Sequence, residues 1–349
     1  MKRLLIAVLV CSMVLGLCAG CTSSSKDSST PASSGSGSKA GNPIVLSMGN
    51  GMPETHAFNV AFADFKKNIE EKTNGDIVVE IYPNGQLGGD MVMLQAVQDG
   101  SLSMTWTATP SQVSFVKELA VFDIPFFFDS LEQAQKAVTD EAFVKAMEEK
   151  YNAVGLKFMG FPTPGYRWLS ANKPIRKLED LSGLKCRTME NPYHVAFWKA
   201  LKVTPTPLAS TERYAALQQG TVDGQENLVE NAFNTKMYEV QDYFINTKHI
   251  AYVSASVMNL DFYNSLPDDY KALVDEEMAT VTSKFQTLAQ ENEASMLKEM
   301  QDKYGVTIID ELDPGEYARW AKVTEATEGM IRKDIGDDMV DLLYKAAGK

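Results

Sequence analysis

From Ile44 to the end of the 349-residue chain, short β-rich runs alternate with amphipathic stretches. After Ile44-Val45-Leu46, Phe58, Phe62, Phe65 and Ile69 fall at i, i+4, i+7 and i+11, one helix face, and Asn74-Gly75 stops the run. Residues 77–82 read as the next strand, closed by Pro83-Asn84-Gly85. Met91 to Gln98 predicts a helix ending at Gly100, and Leu102 to Trp106 a further strand. Strand-like runs recur at 154–158, 166–170, 183–188 and 251–258. Such interleaving predicts an α/β chain with largely parallel sheets. Pro267 to Gly305 encloses no Gly or Pro, and Leu273, Met278, Val281, Phe285, Leu288, Met296, Leu297 and Met300 recur at near-helical spacing. This predicts one helix of about 36 residues, on the order of 50 Å long. A coiled-coil dimer would need a strict heptad; the seam drifts from one, so the helix is expected to lie across two domains.

The chain's first segment is different. Lys2 and Arg3 precede an apolar run from Leu4 to about Leu17, the pattern of a secretory signal. Leu17-Cys18-Ala19-Gly20-Cys21 resembles the lipobox of bacterial lipoproteins, which implies that Cys21 becomes a lipidated N-terminus. Thr22 to Asn42 holds nine Ser, two Thr and three Gly, a flexible tether with a reach of roughly 25 Å. The expected division is residues 1–20 as signal and 21–43 as Ser/Gly-rich tether, with lipid as the only anchor.

Composition narrows the class. With 33 Lys+Arg against 46 Asp+Glu the formal charge is −13, which argues against binding to a nucleic-acid backbone. Loss of Lys2 and Arg3 with the signal takes it to about −15. Of four cysteines, Cys11 and Cys18 leave with the signal and Cys21 is acylated, so only Cys186 remains and no internal disulfide is expected.

No catalytic or metal signature stands out. His56, His194 and His249 have no ligand-spaced company, and there is no Gly-rich phosphate loop or GxSxG elbow. Cys186 could be a thiolate beside His194, but its apolar strand makes a buried structural cysteine the stronger reading. No cofactor or metal is expected. Polar recognition remains: Arg167 lies in Tyr166-Arg167-Trp168-Leu169-Ser170 and Arg187 ends Leu184-Lys185-Cys186-Arg187. An arginine there fits a ligand carboxylate through its planar fork, or equally a surface ion pair.

Several motifs occur in order: Tyr82-Pro83-Asn84-Gly85-Gln86-Leu87-Gly88, Asp123-Ile124-Pro125-Phe126-Phe127-Phe128, Lys173-Pro174-Ile175, Thr204-Pro205-Thr206-Pro207, and the run from Tyr214 to Asn227 that reads YAALQQGTVDGQEN. With them the chain resembles the DctP-type solute-binding proteins of TRAP (tripartite ATP-independent periplasmic) transporters, from about Ile44 to the C-terminus. The resemblance implies a two-domain, class II-type periplasmic-binding-protein-like cleft fold with shared strands and a long helix spanning both domains. Domain I is expected at 44–164 plus 253–292 and domain II at 165–252 plus 293–349.

By the same resemblance the protein is a receptor, not an enzyme, that closes on an organic acid and hands it to TRAP membrane permease subunits. It is expected to be a monomer, lipid-anchored outside the cytoplasmic membrane. Arg187 matches the family's principal carboxylate-binding arginine, Arg167 an auxiliary one, and Asn227 the asparagine at the ligand's carboxylate. Asn50, His56, Asp90 and Trp106 fall near ligand-contacting positions of the first domain. The stretch Arg187-Thr188-Met189-Glu190-Asn191-Pro192 is similar to the branch that takes sugar acids and related hydroxy or keto acids, which adds Met189 and Asn191 to the candidates. Asn191-Pro192 equally reads as a helix start. A C4-dicarboxylate, an aromatic acid, or a sensor lipoprotein that presents its ligand are the alternatives. The chain departs from the family at Leu228, where proline is common, at Leu201-Lys202-Val203, and at Ser210, where sialic-acid receptors carry an aromatic.

Overall fold

The structure, a computed structural model, describes residues 42–349. The expected signal, Cys21 and nearly all of the tether lie outside the described residues. Thirteen strands follow in chain order: β1 Ile44–Gly49, β2 Ile77–Tyr82, β3 Met104–Ala108, β4 Leu156–Phe158, β5 Gly165–Tyr166, β6 Trp168–Ala171, β7 Lys185–Thr188, β8 Thr204–Pro207, β9 Gly224–Asn227, β10 Tyr243–Ile245, β11 Ala251–Tyr252, β12 Ser254–Asn259 and β13 Thr307–Ile309.

They build a five-stranded sheet in the order β2-β1-β3-β12-β4, a six-stranded sheet in the order β13-β10-β6-β9-β7-β8, and the two-stranded pair β11-β5. The sheets are mixed rather than largely parallel. β12 runs antiparallel to both β3 and β4, and β6 antiparallel to β9 and β10. The reason is that β12 enters the first sheet after the chain has returned from the second, so it approaches from the opposite end. The outward and return passages lie side by side as β5 and β11.

Alternation along the strands puts apolar side chains on both faces of each sheet. In β12, Ala255 and Val257 join a cluster with Phe122, Phe143 and Tyr151, while Met258 joins Phe58, Phe62 and Trp106 on the other face. In β10, Ile245 packs with Trp198 and Trp320, while Phe244 packs with Leu217, Val229 and Met300.

The long helix runs from Asp268 to Tyr304, 37 residues or about 55 Å. Asp268 and Asp269 complement the positive end of its dipole, and Gly305 closes it in the left-handed conformation that only glycine adopts cheaply. Val274, Met278, Val281 and Phe285 pack beneath the first sheet and Met300 beneath the second, so one helix joins both cores. The C-terminal helix Asp337–Ala347, placed with the second domain by the sequence, instead packs Met339, Val340 and Leu343 on the Phe122–Phe143 cluster of the first sheet. Its amphipathic pattern could not say which sheet it would meet. Among the described residues no helix is long and apolar enough to cross a membrane.

Candidate functional site

The strands β6, β9 and β7 lie next to one another, which brings Arg167, Glu226, Asn227 and Arg187 close together. Arg187 is 2% exposed; its Nε and Nη2 donate to the Leu208 carbonyl at 2.9 and 2.6 Å, which fixes the guanidinium and leaves Nη1 without a hydrogen-bond partner among the described residues. Burial lowers its pKa although Glu226 opposes the shift.

Arg187 lines a largely enclosed cavity with about 390 Å³ of empty space, part of it continuous with solvent. Asn227 and Met189 line it from the same side; Asp90 and Trp106 face them from the first sheet's side. Asn227 Oδ1 accepts from Leu228 N and from Asn231 Nδ2, and Asn231 Nδ2 also donates to the Tyr252 hydroxyl. Trp106 is fixed by stacking on Phe58 at 4.4 Å and by donating Nε1 to Ser254 Oγ.

Four sequence candidates fall outside the lining. Arg167 is buried behind it, donating Nε and Nη2 to the carboxylate of Glu226 and touching the Met189 sulfur at 3.5 Å. Asn50 is fully buried in a bond to Asn59 Oδ1. His56 caps the helix Ala57–Lys72 through Nδ1 and meets Asn231 Oδ1 through Nε2 at 2.9 Å. Burial pushes its pKa down to about 4, so it stays neutral. Asn191 caps the helix Pro192–Ala200 with Oδ1 and donates Nδ2 to Asp123. The helix-start reading of Asn191-Pro192 therefore describes the geometry, with Pro192 in the first turn where its missing N–H costs nothing.

Behind the cavity floor the ionic groups compensate one another. Arg167 pairs with Glu226, and His194 Nε2 meets Asp123 Oδ1 at 3.0 Å. Burial works against the His194 charge, but Asp123 and Glu226 overcome it and raise its pKa to about 9. Cys186 is fully buried, its thiol pushed well above its usual pKa by burial, which keeps it protonated and poor as a nucleophile. No cluster of three or more His, Cys, Asp or Glu suited to a metal is present among the described residues.

Hydrogen bonds close the cavity's two walls on each other. Ser210 donates to Asp90 at 3.1 Å, Thr55 to Asn234 at 2.9 Å, and Ala57 N to Glu230 at 2.9 Å. Sequence reasoning missed Arg213, Asn231 and Tyr252, which also line the cavity. The all-polar strand Gly224-Gln225-Glu226-Asn227 was a usable signal of a buried polar network. For Arg213 there was none, because an arginine opening a short amphipathic helix reads as solvated.

Two mixed sheets bridged by paired crossings and one long helix, with a cavity between them that carries two arginines and an aspartate, define a two-domain solute receptor of the periplasmic-binding type. The chain belongs to the family described as bacterial extracellular solute-binding protein, family 7 (DctP), whose pattern matches residues 48–333. It is 32% identical over 340 residues, 96% of this chain and 98% of the relative, to the C4-dicarboxylate-binding periplasmic protein DctP of Rhodobacter capsulatus. Its fold matches a TRAP periplasmic solute-binding protein from a Polaromonas species bound to D-erythronate (TM-score 0.80, 28% identity, 86% of this chain and 98% of that one). It equally matches one from Sulfurospirillum deleyianum with bound succinate (TM-score 0.80, 29% identity, 86% and 98%).

Proposed function

We propose that this receptor binds a small carboxylate-containing acid, a sugar acid or related hydroxy or keto acid, by cleft closure and delivers it to a TRAP permease, without a covalent step. The observation that carries the reading is the buried Arg187, fixed by the Leu208 carbonyl yet presenting an unpartnered Nη1 at an enclosed cavity shared with Asn227, Asp90 and Trp106. Charge-assisted hydrogen bonds contribute roughly 1.5–3 kcal/mol each, so a few of them with some apolar burial reach the roughly 8 kcal/mol of micromolar affinity. Arg167, held by Glu226, shapes the field behind the floor. D-erythronate and succinate in two structural relatives support an organic acid as ligand.

The reading includes a lipid anchor at Cys21 on the outer face of the cytoplasmic membrane, and a monomer whose lobes comprise about 44–164 with 253–292 and about 165–252 with 293–330. The last helix goes with the first lobe, as its packing on Phe143 and Val257 supports. A C4-dicarboxylate is the second reading, favoured by the Rhodobacter capsulatus relative.

Calorimetry with a panel of hexuronates, aldonates, keto acids and dicarboxylates tests the function. The wild type should bind at least one acid in the micromolar range; Arg187→Ala should abolish binding. Arg187→Lys should weaken it at least tenfold, because an ammonium lacks the rigid planar fork that holds the Leu208 carbonyl on one edge and offers a separate donor to a carboxylate. Wild-type affinity in Arg187→Lys would sink the assignment.

A further inference from the structure

Arg213 opens the helix Arg213–Gln218, directly after the single turn Ser210–Glu212, and is 1% exposed. Its Nη2 donates to Thr235 Oγ1 at 2.8 Å, while Nε and Nη1 are buried without a partner among the described residues. No carboxylate pairs with it among the described residues, yet it lines the same cavity as Arg187. Buried polar groups in native proteins are almost always satisfied, so two orphaned donors on a buried cation call for an acceptor that the described residues do not supply. Burial lowers its pKa to about 9, with Arg187 as the strongest charge acting on it, which supports their proximity.

The balance of charge says what that acceptor carries. Behind the floor, Arg167 and Glu226 cancel, as do His194 and Asp123. On the lining stand two cations, Arg187 and Arg213, and one anion, Asp90. One negative charge on the ligand neutralises the site; two would leave an excess in a space largely closed to water, beside Asp90. Asp90 also accepts from Ser111 Oγ at 2.9 Å and Ser210 Oγ at 3.1 Å, so hydroxyls already donate to this carboxylate, and each oxygen has a further lone pair.

We propose that Arg213 is a second guanidinium holding the ligand's carboxylate, and that Asp90 opposite accepts from the ligand's hydroxyls, so the site selects hydroxylated monocarboxylates over dicarboxylates. The proposal rests on the receptor reading above and names its substrate class. Arg213 and Asp90 thereby set specificity from the two walls of one cavity.

The test is calorimetry at pH 7.5 on purified protein with D-erythronate and D-gluconate against succinate and adipate. The wild type should bind at least one hydroxy acid tenfold or more tighter than either dicarboxylate. Arg213→Met should lower that affinity at least thirtyfold, Arg213→Lys should recover part of it, and Asp90→Asn should shrink the preference for hydroxy acids. In the ligand-free state, where opening hydrates Arg213, Arg213→Met should melt close to the wild-type temperature; a purely structural arginine would give a clear fall. Unchanged affinity in Arg213→Met, or a dicarboxylate bound more tightly than both hydroxy acids, overturns the proposal. Binding of only an unhydroxylated acid from the wider panel would also overturn it while leaving the receptor reading intact; no binding by any acid would sink both.

Discussion

Replacing Glu226 by Gln keeps the shape of the site's floor and deletes its charge, which makes it the most direct test of how the buried ions are arranged. Glu226 is wholly buried on β9. Its carboxylate accepts from Arg167 Nε and Nη2 and from His249 Nε2 at 3.3 Å, and Oε1 stands 3.6 Å from His194 Nδ1, an ion contact beyond hydrogen-bond reach. Burial alone would raise its pKa, but the Arg167 charge and the histidine contacts hold it well below the usual carboxylate range. Glu226→Gln therefore strands a buried guanidinium. Removing one partner of a buried pair costs about 3–5 kcal/mol. At about 2–4 °C per kcal/mol for a chain of this size, Tm should fall by about 6–20 °C at pH 7.5.

Adding Arg167→Met should restore much of the loss, because two neutral residues of similar volume replace a desolvated pair at little net cost. The resulting coupling should be at least about 2 kcal/mol. The pH dependence has a definite sign. With its folded pKa depressed, Glu226 contributes stability that is present above the unfolded value of about 4.3 and lost as pH falls through the folded value. The gap between wild type and Glu226→Gln should thus narrow as the pH falls below about 4. Thermal and urea unfolding followed by circular dichroism measure all of this. A Glu226→Gln protein melting within 2 °C of wild type, or additive single and double variants, would refute the argument.

His194, raised to about 9, contributes stability fully present below its unfolded pKa of about 6.5 and lost as pH climbs through 9, a change of about 3 kcal/mol. Urea midpoints should therefore fall between pH 6 and 9.5 in the wild type, and much less in His194→Gln; parallel profiles would contradict the pairing with Asp123. At Gly224 an added Cβ would lie 2.6 Å from the Ser170 carbonyl oxygen, backbone that no rotamer change can move. Gly224→Ala should cost about 2–3 kcal/mol by prying β9 from β6, and a wild-type midpoint would show that the strands separate freely.

The elements that sequence periodicity resolved best are those whose pattern needs no partner. The strand 77–82 and the helix between Pro267 and Gly305 have the expected bounds almost to the residue, since alternation and the lack of breakers are local properties. The expected strand 166–170 is instead broken at Arg167, whose N–H donates to the Ile250 carbonyl where the chain crosses between sheets. The 251–258 run is interrupted at Val253 for the same reason. Crossings are tertiary events that apolar runs do not encode. Polar residues divide similarly: Asn191 and His56 lie near the cavity in sequence terms but are used up as helix caps, their donors and acceptors spent before a ligand arrives.

The charge arrangement also explains why such a receptor should close only on its ligand. In the closed geometry Arg187 and Arg213 are both almost fully buried, and the same cavity holds one partly exposed carboxylate, Asp90. Emptied of ligand, that state leaves unpaired cationic donors out of water, a cost of several kcal/mol per desolvated ion. Opening rehydrates them and gives up a few wall-to-wall bonds such as Ser210 to Asp90. Hydrogen bonds of that kind are worth only about 0.5–1.5 kcal/mol each, so the empty protein should rest open. An anion reverses the balance by pairing with the buried cations, and its preference for the closed form is what shifts the equilibrium. The compensated pairs behind the floor make this selective: with Arg167 and His194 already neutralised, the two arginines of the lining are left to report the ligand.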